Sequence, residues 1–356
     1  MASIGSMAES KVRSIVFVLL LLCALPLWAS LPGRVIIWGN NALGHVEELP
    51  PPSARLEPMP ISGRDFDDVT ALAAGRSHAL AVRSDGTVAG VGFNLQGQAT
   101  GIGSTKPDTG KGLVAISGRP LSNIVSVAAG DYFSLALARD GQVIAWGEAS
   151  VPEGLSNVVA IAARGALCLA LKADGTVTGW GTKPWVHPRV PSDLSNVVAI
   201  AAGGASGGSY EHSMALRTDG RVVVWGAGIS RQELSPPELT NAIAIASGGG
   251  FSLALKSDGT VYGWGVNSGG SGGNAPTTGP PVPDNYSCGL VRVDGQVLSN
   301  VVSIAAGSGF GLAVKSDGTV VSWGDKQHYP GAPPTGLSNI VAVAVSDQFG
   351  VAIQRQ

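Results

Sequence analysis

Two segments have the residue spacing of a serine nucleophile. Gly204-Ala-Ser206-Gly-Gly208 and Gly269-Gly-Ser271-Gly-Gly273 both match Gly-x-Ser-x-Gly, which in hydrolases exposes the serine on a sharp turn between a strand and a helix. Here both matches lie in glycine-rich loops, and no helical pattern follows either of them. Because the chain has 51 glycines in 356 residues, chance matches are expected. The two serines therefore do not predict a hydrolase.

Other residues with catalytic or metal-binding chemistry are scattered along the chain. The phosphate-binding loop pattern is absent around Gly110-Lys111, and no Asp-x-Asp-x-Asp-Gly calcium loop occurs. His78 and His212 share one repeat position that holds Phe in other copies, so we expect these rings to pack rather than to bind a metal. The remaining histidines are His45, His187 and His328. The sequence predicts no enzyme activity, no cofactor and no metal.

The charge balance limits the classes of partner. Lys and Arg number 23 and Asp and Glu number 25, so the net charge of −2 gives no basic excess to neutralise nucleic-acid phosphates. Charged residues make up only 13% of the chain, whereas 44% is hydrophobic. The composition therefore predicts a folded chain with a large core that does not bind nucleic acid in general.

The first thirty residues have the pattern of an export signal. Lys11 and Arg13 precede an apolar run over 15–25, Pro26 ends it, and a plausible cleavage site follows at Ala29 or Ser30. The run is shorter than the roughly 20 residues of a membrane-spanning helix. We expect residues 1–30 to be a cleaved signal peptide, with an uncleaved anchor as the alternative. The protein would then be secreted, or lie in the periplasm or cell envelope, and would not be membrane-bound after cleavage.

An internal repeat fills the rest of the chain. Leu121-Ser-Asn-Ile-Val-Ser-Val-Ala-Ala-Gly130 recurs almost unchanged from Leu155 and Leu194, and further copies occur. These start at Leu239, Leu298 and Leu337, with a weaker one over 67–75. Every copy but the last continues into a second apolar run, an Asp-Gly pair and a third run. The Asp-Gly pairs are 85–86, 140–141, 174–175, 219–220, 258–259 and 317–318.

The runs have the composition of strands. They are short and rich in Val and Ile, and Asp-Gly between two such runs favours a type I′ hairpin turn, with positive φ at both central residues. We expect each Asp to serve its turn rather than a binding ring. The third run ends in Trp-Gly in five copies, and we expect these rings to fill the wedges between neighbouring sheets. The tryptophans are Trp146, Trp180, Trp225, Trp264 and Trp323.

The two cysteines outside the signal lie far apart in the sequence. Cys168 lies within a second run and is expected to be a small buried residue. Cys288 lies in a long insertion. A disulfide bond between them remains an open alternative.

The ends of the repeat region complement each other. The last copy, 337–356, has no third run, and the missing strand occurs after the signal as Gly33-Arg-Val-Ile-Ile-Trp-Gly39. Six complete copies and one split copy predict an all-β, seven-bladed β-propeller over residues 31–356, closed by pairing of N-terminal and C-terminal strands. Closure removes the exposed strand edges of an open array.

The repeat resembles that of the regulator of chromosome condensation family. Ser252-Leu-Ala-Leu-Lys-Ser-Asp-Gly-Thr-Val-Tyr-Gly-Trp-Gly265 is similar to the hallmark of that family, and the resemblance extends over about residues 33–356. It implies a seven-bladed propeller. The family also implies several activities: nucleotide exchange on a small GTPase with chromatin docking, or, in secreted bacterial relatives, inhibition of β-lactamases by one face of the propeller.

The variable loops should all lie on one face. Antiparallel connectivity places the loop between the first two strands and the loop after Trp-Gly on one face, and the Asp-Gly turns on the other. Variable loops on a rigid scaffold usually carry binding. Candidate partner-binding residues are Asp131, Tyr132, Trp185, Tyr210, Glu211, Tyr286 and Tyr329. The alternative is that these rings pack against their own loops.

The sequence thus predicts a secreted, non-enzymatic binding module. Its partner would be another protein or an extracellular macromolecule of unknown identity, and the module itself a monomer. A glycan-active propeller enzyme and a nucleotide-exchange factor remain the alternatives.

Overall fold

The computed structural model describes most of the repeat region. The described residues are 33–40, 55–61, 64–103, 109–186, 188–205, 209–226, 236, 239–266, 286–324, 333, 337–347 and 349–355. They form seven antiparallel sheets of three or four strands and two short two-stranded ribbons. Within these residues no helix is long and apolar enough to cross a membrane.

Each sheet is one blade, and each blade follows one sequence copy. The chain begins with β1 (Arg34–Asn40) and β2 (Arg55–Pro60), and a 3-10 turn over Arg64–Phe66 leads into blade 1. Blade 1 contains β3 (Val69–Ala74), β4 (His78–Arg83), β5 (Val88–Phe93) and β6 (Thr109–Leu113), followed by the ribbon β7 (Ala115–Ile116) and β8 (Arg119–Pro120). Blade 2 contains β9 (Ile124–Ala129), β10 (Phe133–Ala138) and β11 (Val143–Gly147). Blade 3 contains β12 (Val158–Arg164), β13 (Leu167–Lys172) and β14 (Val177–Gly181).

The remaining blades repeat this order. Blade 4 contains β15 (Val197–Ala205), β16 (Ser209–Arg217) and β17 (Val222–Gly226). Blade 5 contains β18 (Ala242–Ser247), β19 (Phe251–Lys256), β20 (Val261–Val266) and β21 (Tyr286–Leu290), followed by the ribbon β22 (Arg292–Val293) and β23 (Gln296–Val297). Blade 6 contains β24 (Val301–Ala306), β25 (Phe310–Lys315) and β26 (Val320–Gly324). Blade 7 contains β27 (Ile340–Val345) and β28 (Phe349–Gln354) together with β1 and β2, in the order β2-β1-β28-β27.

The predicted split blade is confirmed. Strand β1 pairs antiparallel with β28, so that Val35 lies opposite Ile353 and Trp38 opposite Gly350. Gly33 and Val69 exchange two backbone hydrogen bonds of 3.1 and 2.8 Å, which join this blade to blade 1. Strand β2, on the outer side of β1, is an addition that the sequence pattern did not predict.

The first strands of the blades form a closed circle. Each contacts the first strand of the next blade, in the order β3, β9, β12, β15, β18, β24, β27 and back to β3. The structure is therefore a closed seven-bladed β-propeller, as the sequence predicted, and its first strands lie nearest the central axis.

The hydrophobic core consists of wedges between consecutive blades. Trp264 of blade 5, for example, is fully buried in a cluster with Met214 and Leu216 of blade 4. Trp146, Trp225 and Trp323 are buried against the preceding blade in the same way. Trp180 is only half-buried, against blade 2. The tryptophans thus fill the wedges that the sequence predicted for them.

The six Asp-Gly turns differ from the predicted type I′ geometry. In the first, the Gly86 N–H donates to the Arg83 carbonyl and the Arg83 N–H donates to the Thr87 carbonyl, both at 2.9 Å. Gly86 has a φ of 80°, whereas Asp85 is not left-handed. This is a type I turn followed by a glycine bulge. The prediction was wrong because three residues rather than two connect the strands, so only the last of them needs a positive φ.

Type I′ turns occur elsewhere, in the two ribbons. Val293 lies opposite Gln296, and the two residues between them, Asp294 and Gly295, have φ of 51° and 80°. Ser117 and Gly118 connect the other ribbon with φ of 52° and 75°. Loop length, rather than the Asp-Gly dipeptide, therefore decides the turn type.

Candidate functional site

The propeller has the two faces that the sequence predicted, one with the variable loops and the other with the Asp-Gly turns. The Phe93 N–H donates to the Ser77 carbonyl, so the loop between the first two strands and the loop after the third strand meet at one end of blade 1. We call the end with these loops the loop face and the end with the Asp-Gly turns the turn face. On the turn face, the Ile124 N–H donates to the Gly86 carbonyl at 2.9 Å, and equivalent bonds link later blades.

A charged cluster lies at the centre of the loop face. Arg164, at the end of β12, donates from Nε to the Gly204 carbonyl (2.8 Å) and from Nη1 to the Ala306 carbonyl (3.1 Å). Its Nη2 donates to Asp347 Oδ1 at 2.8 Å and lies 3.4 Å from Ser308 Oγ. One side chain of blade 3 thus contacts blades 4, 6 and 7, and Arg164 spans the central axis.

Blade 3 accommodates this arginine because it departs from the other repeat copies at two positions, 164 and 167. In most blades the position of Arg164 is a glycine, because a ring at the start of the second strand packs against it. A Cβ at Gly307 would lie 2.6 Å from the Phe310 ring. In blade 3 the ring is replaced by Leu167, which leaves room for a side chain at 164. Although Arg164 breaks the repeat, it was not among the residues predicted from the sequence.

A small cavity lies beside this cluster. Its lining includes Gly75, Arg76, Asp131, Arg164 and Asp347, from blades 1, 2, 3 and 7. The cavity volume is about 10 Å³, which is room for about one water molecule. Substrate and cofactor pockets are on the order of 300–1,000 Å³. The described residues at this centre therefore enclose no cavity of substrate size.

Tyr132, a predicted site residue, is held between blades 1 and 2. Arg76 Nη1 donates to the Tyr132 hydroxyl at 2.9 Å, and the Phe93 ring packs edge-on against the tyrosine at 6.5 Å between centroids. The ring is half-buried. Tyr132 therefore lies on the loop face, as predicted for a partner-binding residue. It also packs against neighbouring residues, as the alternative interpretation predicted.

Asp131 and Glu211, also predicted, lie on either side of the short loop of blade 3. The Asp131 N–H donates to the Gly165 carbonyl at 2.8 Å. Burial raises the pKa of Glu211 above its ordinary value, a hydrogen bond from the Ala166 N–H lowers it, and the negative charge of Asp131 raises it. The structure thus brings these two carboxylates near each other and near the axial cluster.

Trp185 is the most exposed large hydrophobic residue described, at 64%. It occupies a β-turn in which the Val186 N–H donates to the Lys183 carbonyl at 3.0 Å. Val186 is buried against Gly181, and Lys183 Nζ forms an ion pair with Glu148 at 2.7 Å. The backbone on either side of the indole is therefore fixed while the ring itself faces solvent.

Three predicted site residues fall partly or wholly outside the described residues. Tyr210 and Tyr286 lie in β16 and β21, and their side chains are not described. Tyr329 lies outside the described residues, as do Ser206 and Ser271 of the nucleophile-like motifs. The predicted patch thus stays a prediction for these positions.

The two repeat-position histidines pack as predicted. His78 and His212 are fully buried, and each ring lies against the glycine of its own blade. Each Nε2 also contacts a serine of the next blade, Ser134 at 2.8 Å and Ser252 at 3.1 Å. Within the described part of the chain no group of three His, Cys, Asp or Glu side chains could hold a metal ion.

Both described cysteines are free thiols. Cys168 is fully buried, as predicted, and burial raises its pKa well above the ordinary value. Cys288 is exposed on β21. A disulfide bond between the two is therefore absent from this structure.

On the turn face, each Asp of an Asp-Gly turn is occupied by its own turn. Thr260 donates to Asp258 Oδ1 from both its hydroxyl (2.6 Å) and its backbone N–H (2.9 Å). These bonds, with the nearby Lys256, lower the pKa of Asp258 to about 2. The same bonds lower the pKa of Asp85, Asp174 and Asp317. The acidic residues of this face thus cap turns, as predicted.

We expect the Asp258 carboxyl to titrate near 2 in the folded protein, below its ordinary value of 3.8. Because the folded-state pKa is depressed, the stability that the carboxylate contributes is present above about pH 4 and is lost as the pH falls through about 2. The carboxyl-carbon chemical shift measured against pH gives the midpoint. Thr260→Val, which removes the hydroxyl donor, should move the midpoint toward 3.8. An unchanged midpoint in this variant would contradict the assignment.

The repeat segments match a known family. Residues 69–98, 124–150, 242–271 and 301–329 match the regulator of chromosome condensation (RCC1) repeat. The human probable E3 ubiquitin-protein ligase HERC6 is 34% identical over 119 residues, which are 33% of this chain and 11% of HERC6. Protein RCC2 homolog of Danio rerio is 33% identical over 119 residues, 32% of this chain and 22% of that protein. The chain therefore spans less than a quarter of either relative.

Solved structures share the whole architecture. Prp20p of Saccharomyces cerevisiae superposes with a TM-score of 0.69 at 22% identity, covering 93% of both chains. Human WBSCR16 gives a TM-score of 0.68 at 17% identity, over 91% of this chain and 100% of that one. Fold and loop face together define a β-propeller of the type that presents variable loops on one face. Four segments of the chain match the RCC1 repeat, and the fold is that of the solved RCC1-type propellers.

Proposed function

We propose that this chain is an exported, non-catalytic propeller that binds another protein through its loop face. The observation that carries the proposal is Trp185, an indole that is 64% exposed at the corner of a turn whose backbone is fixed on both sides. Trp and Tyr are the residues most often found as energetic anchors of protein interfaces. A turn whose backbone is already ordered loses little backbone entropy on binding.

The rest of the loop face is consistent with an interface. Tyr132 is anchored by Arg76, and Asp131, Arg164 and Asp347 provide fixed charges near the axis. Fixed charges of both signs favour a partner with a complementary pattern and raise the specificity of docking. On the turn face, by contrast, the carboxylates are engaged in their own turns.

The relatives support a protein as the class of partner. The yeast protein Prp20p has been described with its binding properties toward Gsp1p and histones, so a propeller of this fold binds other proteins. At 22% identity the likeness shows the fold alone, and neither Gsp1p nor a histone is proposed as the partner here. The export signal predicted over residues 1–30 favours a partner outside the cytoplasm.

We expect Trp185→Ala to weaken binding of a captured protein at least about tenfold, the effect of losing an interface anchor. Crosslinking mass spectrometry of the purified complex should place the crosslinks on the loop face. Ile243→Ala is the matched control, because Ile243 is 39% exposed at the turn-face end of β18. Equal affinity of the Trp185 variant and the wild type, or crosslinks on the turn face, would overturn the proposal.

A further inference from the structure

We propose that Arg164 is an axial latch that holds the split blade closed against the rest of the ring. Blade 7 is the one blade assembled from both ends of the repeat region, since β1 joins β28 by noncovalent contacts alone. A closed ring opens most readily where no covalent connection crosses the sheet. A contact from the opposite side of the ring that reaches this blade therefore bears directly on its closure.

The geometry of Arg164 matches this role. Its guanidinium reaches Asp347 in the loop between β27 and β28, 183 residues along the chain, at 2.8 Å. Ser308 of blade 6 also donates its hydroxyl to the same carboxylate oxygen. The ion pair is largely shielded, with side-chain exposures of 13% for Arg164 and 23% for Asp347. Paired and hydrogen-bonded charges in such a setting are costly to separate.

The backbone at the centre of the loop face explains why a side chain is needed there. Arg76 N–H donates to the Gly130 carbonyl, Asp131 N–H to the Gly165 carbonyl and Gly249 N–H to the Gly307 carbonyl, which links blades 1, 2 and 3 and blades 5 and 6. Between blades 3 and 4, the Arg164 side chain supplies the donor to the Gly204 carbonyl. The same guanidinium then extends across the axis to blades 6 and 7, which a backbone N–H could not reach.

The latch can be tested by hydrogen exchange of single blades, measured by mass spectrometry. In Arg164→Gly we expect exchange of the peptides that cover β1 and β28 to rise at least about tenfold, while those of β9 and β10 in blade 2 stay unchanged. Glycine is the residue at this position in most other blades, so the variant is compatible with the fold. Arg164→Met, which keeps the length of the side chain without its charge, should give the same local increase.

Two further variants make the test specific. Asp347→Asn should increase exchange in blade 7, and the double variant should not exceed Arg164→Gly, because both substitutions remove the same Arg164–Asp347 ion pair. Lys183→Ala is the control, because it removes another loop-face ion pair, with Glu148, that lies away from the axis. The proposal is overturned if blade 7 keeps its protection, if blade 2 loses protection equally, or if the two single effects add. Because exchange is measured without a partner, the result is independent of the proposed binding function.

Discussion

Deletion of residues 31–40 is expected to abolish the cooperative melting of the propeller. The deletion removes β1, which lies between β28 and β2 within blade 7. It also removes Gly33, whose two hydrogen bonds with Val69 join blade 7 to blade 1. A thermal melt followed by far-ultraviolet circular dichroism measures the effect.

The size of the effect follows from the position of the strand. Val35 and Ile37 are buried in the cluster between blades 7 and 1, and Ile36 and Trp38 in the cluster between blades 6 and 7. Burial of four such side chains contributes about 1.5–3 kcal/mol each, or about 6–12 kcal/mol together. Because globular proteins are stable by only about 5–15 kcal/mol, most or all of the stability should be lost.

The control for this deletion is a chain that lacks residues 1–30 only and keeps β1. It should melt as the uncut chain does, because the sequence predicts that residues 1–30 are a signal peptide outside the folded propeller. A synthetic peptide of residues 31–61, added to the shortened protein, should restore part of the transition by pairing with β28. If the chain without residues 31–40 melts like the control, the split blade is not what closes the ring.

The fold could be predicted from the sequence because every copy has the same strand pattern and leaves the same apolar surface to be buried by its neighbours. A short sheet buries only part of its apolar surface, so recurring strands with one large ring per copy indicate stacking around an axis. The N-terminal strand could be assigned to the last blade because Val35–Trp38 has the same pattern as the third strands. In both cases a strand pattern that is weak in a single copy predicts the fold because it recurs in every copy.

Local geometry was less predictable where a single residue decides it. The Asp-Gly turns proved to be three-residue loops. In the first of them Arg83 rather than Ser84 pairs with Thr87, so Ser84 joins Asp85 and Gly86 in the loop. Strand β2 was not predicted because Arg55–Pro60 contains two prolines and no alternating pattern. An edge strand tolerates proline because its outer side pairs with nothing, which the sequence alone does not reveal.

The candidate site was predicted only in its outline. The sequence assigned the variable loops to one face, and Tyr132, Trp185 and Asp131 lie there. It did not single out Arg164 or Asp347, because these residues are 183 positions apart and meet only when the ring is closed. The signal was nevertheless present, since Arg164 replaces a repeat glycine in the same copy in which Leu167 replaces the aromatic ring. Two residues of one copy that both differ from the repeat can therefore indicate a side chain that reaches across the axis of a propeller.

Trp264→Ala is expected to lower the free energy of unfolding by about 3–5 kcal/mol, the cost of removing a fully buried indole from a packed core. Trp264 is fully buried and lies opposite Ser252 in its own sheet while packing on Met214 and Leu216 of blade 4. Its loss would leave a cavity between two blades that rigid sheets cannot collapse to fill. Urea unfolding followed by circular dichroism gives the free energy.

The matched control for this substitution is Trp185→Ala, which removes the same ring from a position that is 64% exposed. We expect that variant to stay within about 0.5 kcal/mol of the wild type, as most exposed substitutions do. The two substitutions should therefore separate the two uses of tryptophan in this chain, since one ring holds neighbouring blades together and the other is available to a partner. Similar losses of stability in both variants would show that the Trp185 loop is part of the core and would remove the basis for assigning it to an interface.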